Sequence, residues 1–354
     1  MRLRNFRRSV HLKATPEEVQ VSALRMVATT EWYIDHWNSE VGPPAQSIRV
    51  GDGLGGFLST SGAKMVYNPD NGRITLAGTN YVIYSDDDGA TWSRGTMSLN
   101  IGVQNTPASR IIYVPGTGYF VSNGLGSSSA RVSFSKDGVR WNYISTLVDV
   151  AMLGIAGGRL CLWAYNANNY KSATLASIVA LWEAASASQH LAVVFDTQTT
   201  ALQYIYSAII NDEKSFAFRQ VTSNPAFIMT EDGITLNVST ATGATGALGY
   251  RDHVYHDGLG CLVLLNTSNT TVRLKTLTGN VDSPLNDPVS VPGFNLSFTP
   301  QAIAKSGNKL AVLGTGFIAF GAGEITGPEE RKFTFVNYGN GLAGTYLSAF
   351  SKVA

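Results

Sequence analysis

The sequence predicts an all-β fold built from repeated hairpins, and three observations carry that prediction. Charged residues make up 14% of the 354 residues and hydrophobic residues 44%, a balance typical of a folded core rather than of disorder. The chain also holds 36 glycines and 12 prolines, which favours short strands joined by turns. Finally, a hairpin pattern and a turn motif recur along the chain at related intervals.

The hairpin pattern is clearest in "MVYNPDNGRITLAG" from Met65, "IIYVPGTGYFVSNG" from Ile111 and "HVYHDGLGCLVLLN" from His253. In each, a tyrosine stands five residues before a glycine, and an alternating apolar stretch follows, as in two strands joined by a tight turn. With three weaker copies, the pattern predicts six second strands, starting near Gly72, Gly118, Gly158, Lys214, Gly260 and Asn308. Their mean spacing of about 47 residues lies in the range of β-propeller blades. We therefore expect a six-bladed β-propeller, or a seven-bladed one if the N-terminal region forms its own blade.

A turn motif repeats in phase with the hairpins: "SDDDGATW" at Ser85, "SKDGVRW" at Ser135 and "TEDGITL" at Thr230. The first interval is 50 residues and the second is 95, close to twice the repeat. One copy is missing near residue 182, where "IVALWEAAS" is either a strand that lost its turn or an inserted helix.

The carboxylates of this motif could mark a chemical site or could close a turn. An Asp that starts a tight turn bonds backbone N–H groups just ahead of it, and the following Gly adopts a positive φ. The Trp is then expected to pack against the neighbouring sheet. Because a motif repeated once per blade points around a ring rather than into one cleft, we expect structural turns, with Asp86 and Asp88 as solvated turn residues. A calcium site at these two residues would need more oxygen ligands than the sequence offers.

These residues resemble the Asp-box, a motif of sialidases, other carbohydrate-active propellers, sortilin-like receptors and many bacteriophage tail and fibre proteins. The third copy carries Leu in place of Trp. The matching residues are Ser85, Asp87, Gly89, Thr91, Trp92, Ser135, Asp137, Gly138, Trp141, Thr230, Asp232, Gly233 and Leu236.

A sialidase would carry Arg-Ile-Pro near its first blade, but Arg73-Ile74 and Arg110-Ile111 are not followed by Pro. Other arginines could in principle converge, although their spacing shows no triad: Arg49, Arg131, Arg219, Arg251 and Arg273. The sequence therefore predicts a protein that is not an enzyme, without catalytic, cofactor or metal sites. His253 and His256 are expected in a strand, on opposite faces, and Cys161 and Cys261 are expected to pack as small buried hydrophobes.

The first 60 residues depart from the repeat. Five cations precede the first acid, Glu17, and form a basic arm: Arg2, Arg4, Arg7, Arg8 and Lys13. A capping pattern at Thr15 predicts a short helix over residues 16–27. Residues 1–60 are thus expected to form the arm, the helix and a linker, and residues 61–354 the propeller. Residues 331–354 are expected to complete the ring by pairing with part of residues 28–60.

The resemblance implies a structural virion component of a bacteriophage tail (a hub or nozzle, or a fibre or its adaptor) that assembles symmetrically with copies of itself and with other tail proteins. The arm would dock it to the assembly. The net charge of +1 gives no global attraction to nucleic acid or membrane, and the basic N-terminus lacks the apolar segment of a secretory signal. The alternatives are a propeller that binds a host-surface glycan and a sialidase-like glycosidase.

Overall fold

The structure, a computed structural model, describes the parts of the chain that form its strands, its helix and the turns next to them. The described residues are 24–29, 33–38, 46–49, 64–78, 81–87, 89, 91–96, 110–122, 131–145, 150–164, 169–199, 205–210, 215–219, 226–240, 250–256, 261–266, 272–276, 289–290, 300–306, 309–314, 317–322, 334–337 and 348–353.

The described strands form seven sheets, numbered here along the chain. Sheet 1 contains β1 (Leu24–Thr29), β2 (Tyr33–Asn38), β3 (Gln46–Arg49) and the last strand, β29 (Ser348–Val353). Sheet 2 contains β4 (Lys64–Tyr67), β5 (Ile74–Gly78), β6 (Tyr81–Ser85) and β7 (Ser93–Arg94). Sheet 3 contains β8 (Arg110–Val114), β9 (Gly118–Ser122), β10 (Arg131–Ser135), β11 (Asn142–Ser145) and the short β15 (His190–Leu191).

Sheet 4 contains β12 (Val150–Ala156), β13 (Arg159–Ala164), β14 (Asn169–Thr174) and β16 (Asp196–Thr199), with helix α1 (Leu175–Ala184) between its last two strands. Sheet 5 contains β17 (Ile205–Ile210), β18 (Ser215–Arg219), β19 (Ala226–Thr230) and β20 (Asn237–Thr240). Sheet 6 contains β21 (Tyr250–His256), β22 (Cys261–Asn266), β23 (Val272–Thr276) and β24 (Val289–Ser290). Sheet 7 contains β25 (Pro300–Ser306), β26 (Lys309–Gly314), β27 (Phe317–Ala322) and β28 (Thr334–Asn337).

The prediction of an all-β fold is confirmed. Apart from β15, which runs parallel to β11, the strands named above pair antiparallel with their neighbours. The second strands of sheets 2 to 7 begin within two residues of the predicted positions, at Ile74, Gly118, Arg159, Ser215, Cys261 and Lys309. The hairpin pattern in the sequence therefore located these six strands well.

Successive sheets touch, in most cases through their first strands. β4 contacts β8, β12 contacts β9 and β17, and β21 contacts β17 and β25. β29 in turn contacts both β25 of sheet 7 and β4 of sheet 2. Each sheet is therefore packed against the next one along the chain, and sheet 1 lies between the last sheet and sheet 2.

The two ends of the chain meet in sheet 1. β29 pairs with β1 along its length, from Leu24 opposite Val353 to Thr29 opposite Ser348. The helix predicted over residues 16–27 is wrong for its described part, because residues 24–27 lie in β1. β1 is paired on both sides, by β2 and β29, and long-range pairing of this kind overrides a local capping signal. The N-terminal region thus contributes strands to a seventh sheet beyond the six predicted repeat units.

The segment "IVALWEAAS" is an inserted helix and not a strand. Its first seven residues lie in α1, and the Thr174 hydroxyl caps the helix by accepting a hydrogen bond from the Ser177 backbone N–H at 3.4 Å. Leu175, Ile178 and Trp182 are its buried residues. They join a core shared by sheets 3 and 4, which includes Phe134. No described helix is long and apolar enough to cross a membrane.

Candidate functional site: the three aspartate turns

The three aspartate turns occupy the same topological position. Each connects the third strand of a sheet to the fourth: β6 to β7, β10 to β11, and β19 to β20. A strand that ends in Ser or Thr delivers the buried hydroxyl of the motif, since Ser85, Ser135 and Thr230 are all nearly inaccessible to solvent. The strands thus fix the start of each turn, and the turn residues form the rest.

The first turn closes on itself through hydrogen bonds. The Ser85 hydroxyl donates to Asp87 Oδ1 at 2.8 Å and accepts from the Gly89 N–H at 2.7 Å. Thr91 donates twice to the carboxylate, from its N–H to Oδ1 at 2.8 Å and from its hydroxyl to Oδ2 at 2.6 Å. The Trp92 indole N–H donates to the Gly89 carbonyl oxygen at 2.9 Å. Both oxygens of Asp87 are therefore engaged inside the turn.

The second turn repeats this arrangement with one residue fewer. Ser135 donates to Asp137 Oδ1 at 2.9 Å and accepts from the Gly138 N–H at 2.8 Å. The two N–H groups that follow Gly138 donate to the same Oδ1, each at 2.8 Å. Trp141 again donates its indole N–H to the glycine carbonyl, at 3.0 Å. Here the hydrogen bonds converge on a single carboxylate oxygen.

The third turn holds its carboxylate like the first. Thr235 donates to both oxygens of Asp232, through its N–H at 2.6 Å and its hydroxyl at 2.7 Å, and Thr230 donates at 3.2 Å. The Thr235 hydroxyl, followed by the backbone N–H groups of Ile234 and Thr235, is the main cause of a pKa of Asp232 lowered to about 2. At Asp87, desolvation opposes ionisation, but the hydrogen bonds from Thr91 and Ser85 outweigh it and lower the pKa. Both groups are thus stabilised as carboxylates, and neither is tuned to exchange protons near neutral pH.

The second turn docks onto the first hairpin of the preceding sheet. Arg73, between β4 and β5, donates to the Asp137 backbone carbonyl. The same guanidinium donates to both oxygens of Asp86, at 2.6 and 2.8 Å, and stacks over the Tyr84 ring at 4.4 Å. Asp86 is an exposed turn residue, as expected, and it also pairs with Arg73, which was not expected. The hydrogen bond to Asp86 is the main cause of the raised pKa of Arg73. Asp88 lies outside the described residues.

The third turn docks in the same way, at very close range. Gly157, in the hairpin between β12 and β13, has a φ of +54°, and a Cβ atom there would lie 2.6 Å from the Asp232 backbone. Gly233 has a φ of +71°, and a Cβ atom there would lie 2.8 Å from the Ala156 carbonyl oxygen. The buried Tyr170 hydroxyl donates to the Gly233 carbonyl at 2.8 Å. Two glycines therefore allow sheets 4 and 5 to approach backbone to backbone.

Helix α1 stands in sheet 4 where sheets 2, 3 and 5 carry the turn, and it too docks onto the preceding sheet. Arg140, in the second turn, stacks its guanidinium 3.6 Å from the centre of the Trp182 ring. It also donates to the Trp182 carbonyl at 2.9 Å, and the Trp182 indole N–H donates back to the Arg140 carbonyl at 3.2 Å. Lys136 pairs with Glu183 at 2.5 Å. The missing fourth copy is thus replaced by a helix with an equivalent contact.

The two tryptophans of the motif differ in burial. Trp141 is 1% exposed and packs with Ala77 and Val82 of sheet 2 as well as with its own sheet. Trp92 is half-buried, and its described apolar neighbours include Met65 and Ile83 of its own sheet. The expected packing against a neighbouring sheet therefore holds for Trp141. For Trp92 it stays a prediction, because the side chains of sheet 1 lie outside the described residues. Leu236, which replaces Trp in the third turn, is partly exposed.

The remaining candidate residues are only partly described. Cys161 is buried, and burial raises the pKa of its thiol to about 11. Arg131 lies with its guanidinium 4.9 Å from the centre of the Tyr143 ring. In the part of the chain that the structure describes, no three His, Cys, Asp or Glu side chains are placed to hold a metal. Predicted residues that lie outside this part, or whose side chains do, are Arg2, Arg4, Arg7, Arg8, Lys13, Arg49, Arg219, Arg251, His253, His256, Cys261 and Arg273.

Sequence reasoning missed the partners of the turns. Arg73, Tyr170 and Gly157 each belong to the sheet that precedes the turn they contact. The hairpin repeat located the positions of Arg73 and Gly157, but nothing in their local sequence shows which turn packs on them. This contact depends on the order of sheets in space.

No protein-family model matches the sequence, and no curated protein matches it significantly. Solved structures share the fold. A Bacteroides fragilis protein named provisionally as a 6-phosphogluconolactonase is 13% identical, with a TM-score of 0.60 over 95% of this chain and 99% of that one. Kuenenia stuttgartiensis hydrazine synthase is 12% identical, with a TM-score of 0.50 over 73% of this chain and 75% of that one. Both have propeller-like folds, and at these identities the likeness concerns the fold alone.

These similarities correct one expectation. The sequence predicted that the chain is not an enzyme, but a structure with a similar fold over almost the whole chain carries the name of a lactonase. The exclusion of enzymes is therefore wrong as a conclusion from this fold. It relied on the missing sialidase residues, and those bear on one reaction only. Neither structure is described as a phage tail protein, so the virion assignment stays a prediction.

Proposed function

We propose that this chain is a seven-bladed β-propeller that assembles into a bacteriophage tail, with other tail proteins and with copies of itself. The propeller architecture is supported by the sheet-to-sheet contacts, which run from sheet 2 to sheet 7 and return through β29 to sheet 2. It is also supported by the pairing of β29 with β1, because strands from both chain ends then complete one blade.

The observation that carries the assembly role is the charge of residues 1–13. Five cationic residues stand there without an acidic one, whereas the chain as a whole has a net charge of +1. Unpaired charges are too costly to bury in a propeller core. The arm therefore needs either water or an acidic surface on another protein, and the resemblance of the turns to those of phage tail proteins favours a neighbouring tail protein.

The turns support the same function in a second way. The carboxylates of Asp87, Asp137 and Asp232 are bonded within their own turns, and the second and third turns pack on the sheet before them. Residues used in this way stiffen the ring. A stiff ring suits a tail component, whose contact surfaces must stay aligned when copies assemble symmetrically.

The test is an incorporation assay with tail particles from the protein's own source. We expect a chain lacking residues 1–14 to fold with near-normal thermal stability and to fail to enter the particle. Replacing Arg2, Arg4, Arg7 and Arg8 with Gln should weaken incorporation, whereas replacing the same four with Lys preserves the charge and should preserve incorporation. Association of the wild type should weaken as salt rises, because the screening length falls to about 8 Å at 0.15 M.

Normal incorporation of the truncated chain would overturn the docking role. The competing functions are assayed separately on the same preparations. Hydrolysis of 6-phosphogluconolactone tests the activity in the name of the Bacteroides fragilis protein, and a glycan array tests recognition of a host surface. A signal in either, together with failure of the full-length chain to enter the particle, would replace the tail assignment.

A further inference from the structure

Residues 186–191 run from the end of α1 along the outer edge of sheet 3, and we name them the edge segment. Their last two residues form β15, which pairs in parallel with Tyr143 and Ile144 of β11. The Tyr143 N–H donates to the Gln189 carbonyl at 3.2 Å, and the Ser188 N–H donates to the Trp141 carbonyl at 3.0 Å. The edge segment thus bonds to the outward-facing backbone groups at β11, the fourth strand of sheet 3. In sheets 2 and 4 the fourth strands, β7 and β16, are instead the end strands.

One buried side chain of β11 is committed to holding the edge segment. Asn142, 1% exposed, donates through Nδ2 to the carbonyls of Ser186 and Gln189, at 2.7 and 3.1 Å. Its Oδ1 atom is buried without a hydrogen-bond partner. Because a buried amide oxygen without a partner is unfavourable, the two bonds from Nδ2 are what the fold gains from an Asn at this position.

The backbone of the edge segment is strained at one residue. Ser188 has a φ of +68°, and it is the one non-glycine residue with a positive φ in the described part of the chain. A serine in this region is unfavourable and persists where the surroundings hold it. The side chains of the edge segment before Leu191 are exposed or half-exposed. Its position therefore depends mainly on the backbone bonds, on Asn142, on the buried Leu191 and on the His190 ring, whose centre lies 5.3 Å from that of Tyr143.

We propose that the edge segment prevents β11 from pairing with β11 of a second copy of this chain. Without it, the Tyr143 N–H and the Trp141 carbonyl would face outward unpaired. An edge with free donors and acceptors is a template for another strand. Two β11 edges in antiparallel register around a twofold axis would give each donor an acceptor. The strand reads Asn-Tyr-Ile-Ser, uncharged and with two residues that favour β structure.

The test uses two substitutions at Ser188. Ser188→Pro removes the N–H that donates to Trp141 and cannot adopt a positive φ, so it should release the edge segment. Ser188→Gly keeps the N–H and favours the same φ, and serves as the matched control. We expect hydrogen exchange at the Tyr143 amide, measured at a dilution at which Ser188→Pro is monomeric, to become at least about tenfold faster. Light scattering should then show a concentration-dependent doubling of mass relative to wild type, and neither change should occur in Ser188→Gly.

Either of two results would overturn the proposal. The Tyr143 amide could become exposed while the mass distribution stays that of wild type, in which case the edge segment does not prevent the pairing of two copies. The mass could also double in Ser188→Pro while the Tyr143 amide stays protected at that dilution, in which case two copies associate without release of the edge segment. If Ser188→Pro loses its near-UV circular dichroism, Asn142→Ala, which removes the two side-chain bonds and leaves the backbone intact, is judged by the same two measurements.

Discussion

The first and second aspartate turns have the same internal hydrogen bonds and different surroundings. In both, a buried serine hydroxyl joins the carboxylate to the glycine N–H, and the tryptophan indole bonds to the glycine carbonyl. Yet Trp141 is 1% exposed and packs between sheets 2 and 3, whereas Trp92 is half-exposed. The motif therefore determines the shape of the turn but not how deeply its tryptophan is buried.

The largest expected effect of this difference is on stability. Trp141→Ala should lower the free energy of unfolding by about 3–5 kcal/mol, because it empties a site between two sheets. Trp92→Ala should lower it by about 1–2 kcal/mol, since less apolar surface is lost. Chemical denaturation of both variants measures the difference. Equal losses would show that the two turns contribute alike and that the comparison is wrong.

The next effect tests the close contact between sheets 4 and 5. Gly157→Ala should destabilise the fold by about 2–4 kcal/mol, because it combines a positive φ with a clash against the Asp232 backbone. Gly158→Ala is the matched control: its φ is +69°, but a Cβ atom there meets nothing within 4 Å. This variant should lose only the free energy that a positive φ costs a residue with a Cβ atom, about 1 kcal/mol. If thermal unfolding gave the two variants the same melting temperature, the turn would not be docked as the structure shows.

A smaller effect on stability depends on how many oxygens of each carboxylate accept hydrogen bonds. Asp87 uses both oxygens, and a Thr91 hydroxyl bonds to Oδ2, whereas the bonds to Asp137 end on Oδ1. An Asn keeps one acceptor oxygen, so Asp137→Asn should change stability by less than about 0.5 kcal/mol, and Asp87→Asn should lose about 1 kcal/mol. The order is checked by urea denaturation at neutral pH, and the reverse order would contradict the assigned bonds.

The smallest effect is a pH dependence at Asp232. Its pKa falls from 3.8 to about 2 on folding. Protonation of Asp232 therefore shifts the equilibrium toward the unfolded chain. The contribution is complete above about pH 4 and is lost as the pH falls through about 2. Wild type should therefore lose more stability than Asp232→Asn between these limits, by a modest amount because the carboxylate is exposed. Parallel acid unfolding curves for the two proteins would refute the assignment.

Much of this fold could be predicted from local sequence, because hairpins and turns are local structures. Three tyrosine–glycine pairs and three weaker copies of the hairpin pattern located six second strands, and the hydrogen bonds of the turns join residues at most four positions apart. The errors arose where distant segments decide the outcome. β1 is a strand because β2 and β29 pair with it. Asp86 has a partner because Arg73 directly precedes β5, the strand that pairs with β6, and Trp92 is half-buried although its motif is the more complete one.

The replacement of one turn by helix α1 could be predicted only in part. A gap in the repeat near residue 182 indicated that something differs there, and both a strand and a helix fitted its apolar residues. The contacts of Arg140 with Trp182 explain the outcome, because the helix supplies a stacking partner to the preceding turn. Such a contact between two sheets has no signature in either segment alone.

The central claim is that the three aspartates serve the fold and not a reaction or a ligand, and alanine variants test it most directly. Asp87→Ala, Asp137→Ala and Asp232→Ala are each compared with wild type in thermal unfolding, particle incorporation and lactone hydrolysis. We predict that each lowers stability, by about 1 kcal/mol, and that the folded protein behaves as wild type in the other two assays. A variant that keeps its melting temperature and loses incorporation or a measured activity would contradict the claim.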